Sequence, residues 1–113
     1  MKTEVYCTLK IEGIHNWANC DIDEVSYLKH PHRHLFGIKA FVGVTHSDRD
    51  VEFIQLGHKI KQYLLSKYNT GHGVCFFGSQ SCEMIATELI NEFGLVRCEV
   101  NEDEENGAIV YND

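Results

Sequence analysis

Proline is nearly absent, one residue in 113, and no Ser/Gly-rich or low-complexity stretch interrupts the chain, so nothing along it marks a linker between units. No internal repeat is visible, which excludes a repeat array. The chain therefore reads as one domain over residues 1–113, small enough to lean on partner subunits for further buried surface. Long apolar runs are lacking too. None approaches a membrane span, and the start "MKTEVYCTLK" has no apolar core of signal-peptide length, so a cytoplasmic protein with no membrane partner is expected. Basic residues are few: ten Lys and Arg stand against seventeen Asp and Glu, a formal charge of −7, with the acidic excess gathered in "CEVNEDEENGAIVYND". Nucleic acid is thereby a poor partner, because a phosphate backbone asks for a basic stripe. The five cysteines, Cys7, Cys20, Cys75, Cys82 and Cys98, are odd in number and form no CxxC pair, which argues against a disulfide framework and against a cysteine zinc knuckle. Most read as reduced thiols, several of them as small core residues.

What the chain does have is periodicity. "TEVYCTLKIEGIH" (3–15) alternates, with Val5, Cys7, Leu9 and Ile11 on one face, and "RHLFGIKAFVGVT" (33–45) alternates again through Phe36, Ile38, Ala40, Val42 and Val44. Both read as half-buried strands. In "VEFIQLGHKIKQYLLSKY", Phe53, Leu56, Ile60 and Leu64 recur at helical spacing, with Asp48 and Asp50 placed to suit the positive end of the helix dipole. "SCEMIATELINEFG" predicts a second helix, capped by Ser81, striped by Met84, Ile85, Leu89 and Phe93, and stopped by Gly94. "LVRCEV" and "GAIVY" return to alternation around an acidic hairpin turn. The order ββααββ predicts an α+β fold, a four-stranded antiparallel sheet with both helices on one face.

The histidines need a separate reason. "HPHRH" (30–34) places three imidazoles on alternate positions of a chain with seven histidines. His32 and His34 leave the same face as Phe36 and Ile38, and His15 ends the first strand with the parity of Leu9 and Ile11. If the two strands are antiparallel neighbours, the three meet. Three neutral imidazoles from strand ends suit Zn²⁺ with a position left open, the pattern of a catalytic site. A lone HxH is more often a pair of exposed or capping residues, and it is the parity of His15 that favours the metal. His30 precedes Pro31 and reads as exposed or as a residue behind the ligands.

Taken in order, "GIH", "HRHLF", "VEFIQL", "SCEMIATEL" and "VNED" resemble the 6-pyruvoyltetrahydropterin synthase and 6-carboxytetrahydropterin synthase family over nearly the whole chain. The resemblance implies the T-fold, an oligomeric barrel (a tetramer or hexamer), and Zn²⁺ held by His15, His32 and His34. It implies a glutamate that anchors a pterin ring, a role Glu102 fits, since it has the parity of Cys98 and Val100 and could accept both donors of a 2-amino-pyrimidinone edge. It implies lyase chemistry on a dihydropterin side chain such as that of 7,8-dihydroneopterin triphosphate.

Two positions depart from the family. Its catalytic Cys lies about half a dozen residues before the HxH pair, where this chain has Ser26, and its Asp/His pair lies between the helices, where this chain has "NTGHGVCFFGSQ". Cys20 and His72 are the candidate substitutes for proton transfer, with Cys75 behind them. The departures keep a rival open: a non-catalytic T-fold module for a pterin or purine-like ligand. His46 with Asp48 reads either as an acid/base pair or as a turn that caps the first helix, His58 as exposed, and Trp17 and Tyr27 either as stacking residues or as subunit contacts.

Overall fold

A computed structural model describes every residue, Met1–Asp113. The long alternating segments form β1 (Thr3–His15) and β2 (His32–Val44), joined through a short 3₁₀ segment, Asp23–Lys29. Then follow α1 (Phe53–Tyr68), β3 (Cys75–Gly78), α2 (Cys82–Phe93), β4 (Arg97–Glu102) and β5 (Asn106–Tyr111). The sheet order is β3-β1-β2-β4-β5, antiparallel throughout except where β3 runs parallel to β1 over Gly13–His15.

The α+β class stands, but the sheet has five strands and is mixed. The additional strand is "CFFG", with Cys75 and Phe77 buried and Phe76 exposed. Four residues are too few for alternation to separate a strand from a loop, which is why the segment reads as a connection in sequence. Both helices pack on one face. Leu56, Ile60 and Leu64 of α1 and Ile85, Ala86, Leu89 and Ile90 of α2 share a single core with Cys7, Ile11, Phe36, Ile38, Ala40, Cys98 and Val100 of the sheet. Fully burying each Leu, Ile, Val or Phe among them favours folding by about 1.5–3 kcal/mol before the entropy of ordering is set against it.

The helix ends follow local chemistry. Ser81 caps α2 by accepting from the Met84 N–H, and Gly94 ends it at φ 64°, a left-handed conformation that glycine adopts at no steric cost. For α1 the capping side chain is Glu52, which accepts from the N–H groups of Ile54 and Gln55. Asp50 is instead turned back onto the N–H and hydroxyl of Thr45, and Asp48 meets Arg49. Phe53 and Met84 also depart from the expected stripes, at 49% and 57% exposure. No helix is long and apolar enough to cross a membrane.

Candidate metal centre

Register brings the imidazoles together. His15 at the end of β1 pairs with His32 at the start of β2, His34 lies two residues on along the same face, and Glu102 ends β4 opposite Phe36. Phe36 is fully buried and forms an apolar floor, its ring edge-on to those of His15 and His34 at centroid separations of 5.1 and 5.7 Å. Gly13 makes room for this floor, because a Cβ there would stand 2.6 Å from the Phe77 ring and 2.8 Å from the Phe36 ring. One ligating nitrogen from each of His15, His32 and His34 lies within 4.8 Å of the other two.

Each ring is oriented from behind. His15 Nδ1 donates to the Gln80 carbonyl at 2.9 Å, His32 Nδ1 to the His30 carbonyl at 2.8 Å, and His34 Nδ1 to the Asp103 carboxylate at 2.8 Å. Three acceptors at three Nδ1 atoms place a proton on that nitrogen in every ring, so that in the neutral ring Nε2 is the nitrogen that carries the lone pair. Metal-binding histidines are held in this way. The Nε2 atoms of His15 and His34 are buried and have no aligned hydrogen-bond partner. Three imidazoles that bring one nitrogen each within 4.8 Å of the others, two of them with a buried Nε2 that has no hydrogen-bond partner, fit a divalent transition metal.

Glu102 faces the same nitrogens. Its Oε2 is 2.9 Å from His15 Nε2, off the direction in which a ring N–H would point, and its Oε1 is 3.5 Å from His34 Nε2, beyond ordinary hydrogen-bond length. Its carboxyl is held below the ordinary carboxylate range, chiefly by His15, against the opposing effect of burial. For His15, burial works against the charged form, but Glu102 and the Gln80 carbonyl outweigh it and the net shift is upward. Asp103 is likewise held low, by His34 and by the Leu35 N–H. The turn that carries Asp103 is strained: Asp103 and Glu104 both have positive φ, 56° and 60°. It is clamped by the Glu105 N–H to the Glu102 carbonyl, by the Glu104 N–H to Asn101 Oδ1, and by a two-way pairing of Asp103 with the Leu35 backbone.

A cavity of about 390 Å³ opens beside the cluster, bordered by His15, His32, Trp17, Gln80, Cys82 and Glu102. Trp17, the only tryptophan, is 43% exposed there. The thiol in this cavity is Cys82, at the first turn of α2, and its Sγ–H points to Glu102 Oε2 at 3.8 Å. Burial, and then the neighbouring carboxylate, push this thiol up to about 12, so it is a donor and not a thiolate.

His15, His32, His34 and Glu102 are thus gathered as their parity predicts. The two proton-transfer candidates are not gathered with them. Cys20 is buried in the connection after β1, its thiol near the carbonyls of Val25 and Ile22, and His72 is exposed in the loop before β3; neither borders the cavity. Cys75 is a core residue whose thiol donates to the Leu64 carbonyl. His46 meets the Asp50 carboxylate at 3.5 Å and accepts from the Asp48 backbone N–H, the geometry of a turn. Sequence reasoning missed the parts that Asp103, Gln80 and Cys82 play here. Asp103 carried a signal, as the neighbour of Glu102 in "VNED", whereas the Gln80 carbonyl, a backbone group, carried none.

No family model matches the chain, and no curated protein matches it in sequence. Among solved structures it is similar to the crystal structure of an uncharacterized protein from Wolinella succinogenes, with a TM-score of 0.67 and 13% identity, covering 100% of this chain and 99% of that one. The likeness is one of fold.

Proposed function

We propose that the protein is a zinc-dependent enzyme acting on the side chain of a dihydropterin, with His15, His32 and His34 as the metal ligands. The observation that carries the reading is the convergence of one nitrogen from each of three imidazoles, every ring held at Nδ1 by an acceptor behind it. Bound there, zinc would supply Lewis acidity toward a substrate hydroxyl. The substrate class, for example 7,8-dihydroneopterin triphosphate, comes from the resemblance of "GIH", "HRHLF" and "VNED" to the pterin synthases. It is supported by a cavity that offers an aromatic face, Trp17, and a carboxylate, Glu102, to a flat ring with paired donors. The T-fold and its oligomeric barrel belong to the same proposal.

One observation favours a second reading, a T-fold module that binds the pterin or a purine-like ligand without turning it over. No thiolate or free imidazole borders the cavity: Cys20 and His72 lie elsewhere, and Cys82 is held protonated. Elemental analysis with a product assay on 7,8-dihydroneopterin triphosphate separates the two. About one zinc per chain with turnover supports the enzyme. Zinc with quenching of Trp17 fluorescence by a dihydropterin, but no product, supports the module. Absence of metal from protein purified without chelator and then offered zinc would end both metal readings.

A further inference from the structure

We propose that Glu102 is itself a ligand of the metal, closing a three-histidine, one-glutamate centre whenever no substrate is bound. The inference rests on the metal reading above and adds a ligand that the resemblance assigns to the ring instead.

The argument starts from an electrostatic conflict. In the neutral rings, with Nδ1 protonated, the Nε2 atoms of His15 and His34 present lone pairs, and Glu102 brings Oε2 to 2.9 Å from the first and Oε1 to 3.5 Å from the second. Lone pair against carboxylate is repulsive unless a cation lies between them. A proton on Nε2 would resolve the conflict if the N–H pointed at an oxygen within reach, but at His15 the oxygen stands off that direction and at His34 it is 3.5 Å away, too far for an ordinary hydrogen bond. A shared metal ion needs the opposite geometry, since the ion lies on the lone-pair axis and the next ligand stands off it. Two ligand atoms each about 2.1 Å from one ion are about 3.0 Å apart at a right angle and about 3.4 Å apart at the tetrahedral angle. The separations, Oε2 to His15 Nε2 at 2.9 Å and Oε1 to His34 Nε2 at 3.5 Å, lie close to those two values, one oxygen of the carboxylate facing each imidazole.

The surroundings hold the carboxylate in place. The Cys82 thiol, itself buried, points its proton to Oε2, and Glu102 is fixed at the last position of β4 by pairing with Phe36 on one side and Asn106 on the other. The carboxylate also borders the cavity. A ligand whose edge recruits Glu102 therefore opens the coordination position that Glu102 had filled, so substrate entry and metal opening become one event.

The test uses wild-type protein and Glu102→Gln, loaded separately with zinc and with cobalt(II). Zinc affinity is read by chelator competition and the coordination by the cobalt visible spectrum, with thermal melting of the metal-free proteins as the check on folding. Loss of ten-fold or more in zinc affinity, with a changed cobalt spectrum, is expected. Added acetate should restore the wild-type spectrum in Glu102→Ala. Equal affinity and an unchanged spectrum in Glu102→Gln would overturn the inference and leave the three-histidine site standing, whereas failure of wild type to bind either metal would remove the site as well. Should neither variant fold, zinc located by anomalous scattering in wild-type crystals decides: an ion out of bonding distance of both Glu102 oxygens overturns the proposal.

Discussion

Asp103 is the residue on which the orientation of His34 depends. Its Oδ2 accepts from His34 Nδ1 and its Oδ1 from the Leu35 N–H, so a single carboxylate ties the β4–β5 turn to the start of β2. Asparagine at this position keeps one carbonyl acceptor but loses the charge, and its amide can turn a donor toward Nδ1 and favour the wrong tautomer. Asp103→Asn is expected to weaken zinc binding roughly 10- to 100-fold, the usual cost of losing a carboxylate behind a metal-binding histidine. Glu104→Gln, one residue on, should leave affinity unchanged, since Glu104 is exposed and paired only with Lys10. Chelator competition on both variants checks the pair. An Asp103→Asn affinity equal to that of wild type would show that backbone register alone orients His34.

At the scale of elements, what binds α1 to α2 outside the core is Glu88. It accepts from Tyr63 at 2.6 Å, Tyr68 at 2.5 Å and Lys67 at 3.0 Å, and Tyr68 accepts in turn from the side chain of Gln80, whose carbonyl holds His15. Burial alone would raise the Glu88 carboxyl, but the hydrogen bonds from the two tyrosines and the lysine more than offset it and hold it below its ordinary value of 4.5. A depressed folded-state value means that the unfolded chain takes up the proton first as pH falls. The contribution of Glu88 to stability is therefore complete above about pH 4.5 and is lost as pH drops through the lower folded-state value. Glu88→Gln should cost about 1–3 kcal/mol at pH 7 and progressively less below pH 4, as read by urea unfolding at both pH values. A penalty independent of pH would show that packing, not charge, is what the substitution removes.

The same elements show which parts of the molecule can be read from sequence. β1 and β2 are legible because alternation of large apolar residues sustained along thirteen-residue strands admits one face assignment, and that parity is also what placed His15, His32 and His34 together. Helix α2 is legible through its cap and its stop, Ser81 and Gly94. β3 is not, because four residues carry no period, and the α1 cap is not, because three acidic residues in succession, Asp48, Asp50 and Glu52, compete for one helix end and tertiary contacts with Thr45 decide among them. The groups behind the ligands are least legible of all. Two of the three are backbone carbonyls, His30 and Gln80, whose position depends on the path of the chain and not on the side chain that it bears.

The whole molecule is more open than a self-sufficient chain of its size. A folded monomer of 13.0 kDa exposes about 6,300 Å² on the usual scaling and has a radius of gyration near 13 Å, whereas this chain exposes 7235 Å² and has a radius of 15.0 Å. The excess, about 900 Å², is close to what one partner contributes to an interface of standard size. The place to bury it is visible in the sheet. β3 covers only the Gly13–His15 end of β1, so Thr3–Glu12 pairs on one side alone, and β5 is unpaired at the other edge. Open edges of this length invite another strand unless something blocks them, and no proline stands in either. Beside the β1 edge runs a groove of about 720 Å³ bordered by Val5, Tyr6, Phe53 and Ile54, the last three at 54%, 49% and 61% exposure. The occupant expected there is a second copy of the chain, its β5 set against β1, which repeats at every subunit and so builds an assembly larger than a dimer. Light scattering at micromolar concentration should give a mass well above twice 13.0 kDa, and Ile54→Asp, which places a charge in the groove without touching the core, should lower it while circular dichroism stays unchanged. A wild-type monomer would contradict the barrel, and an Ile54→Asp variant of undiminished mass would move the interface away from the β1 edge.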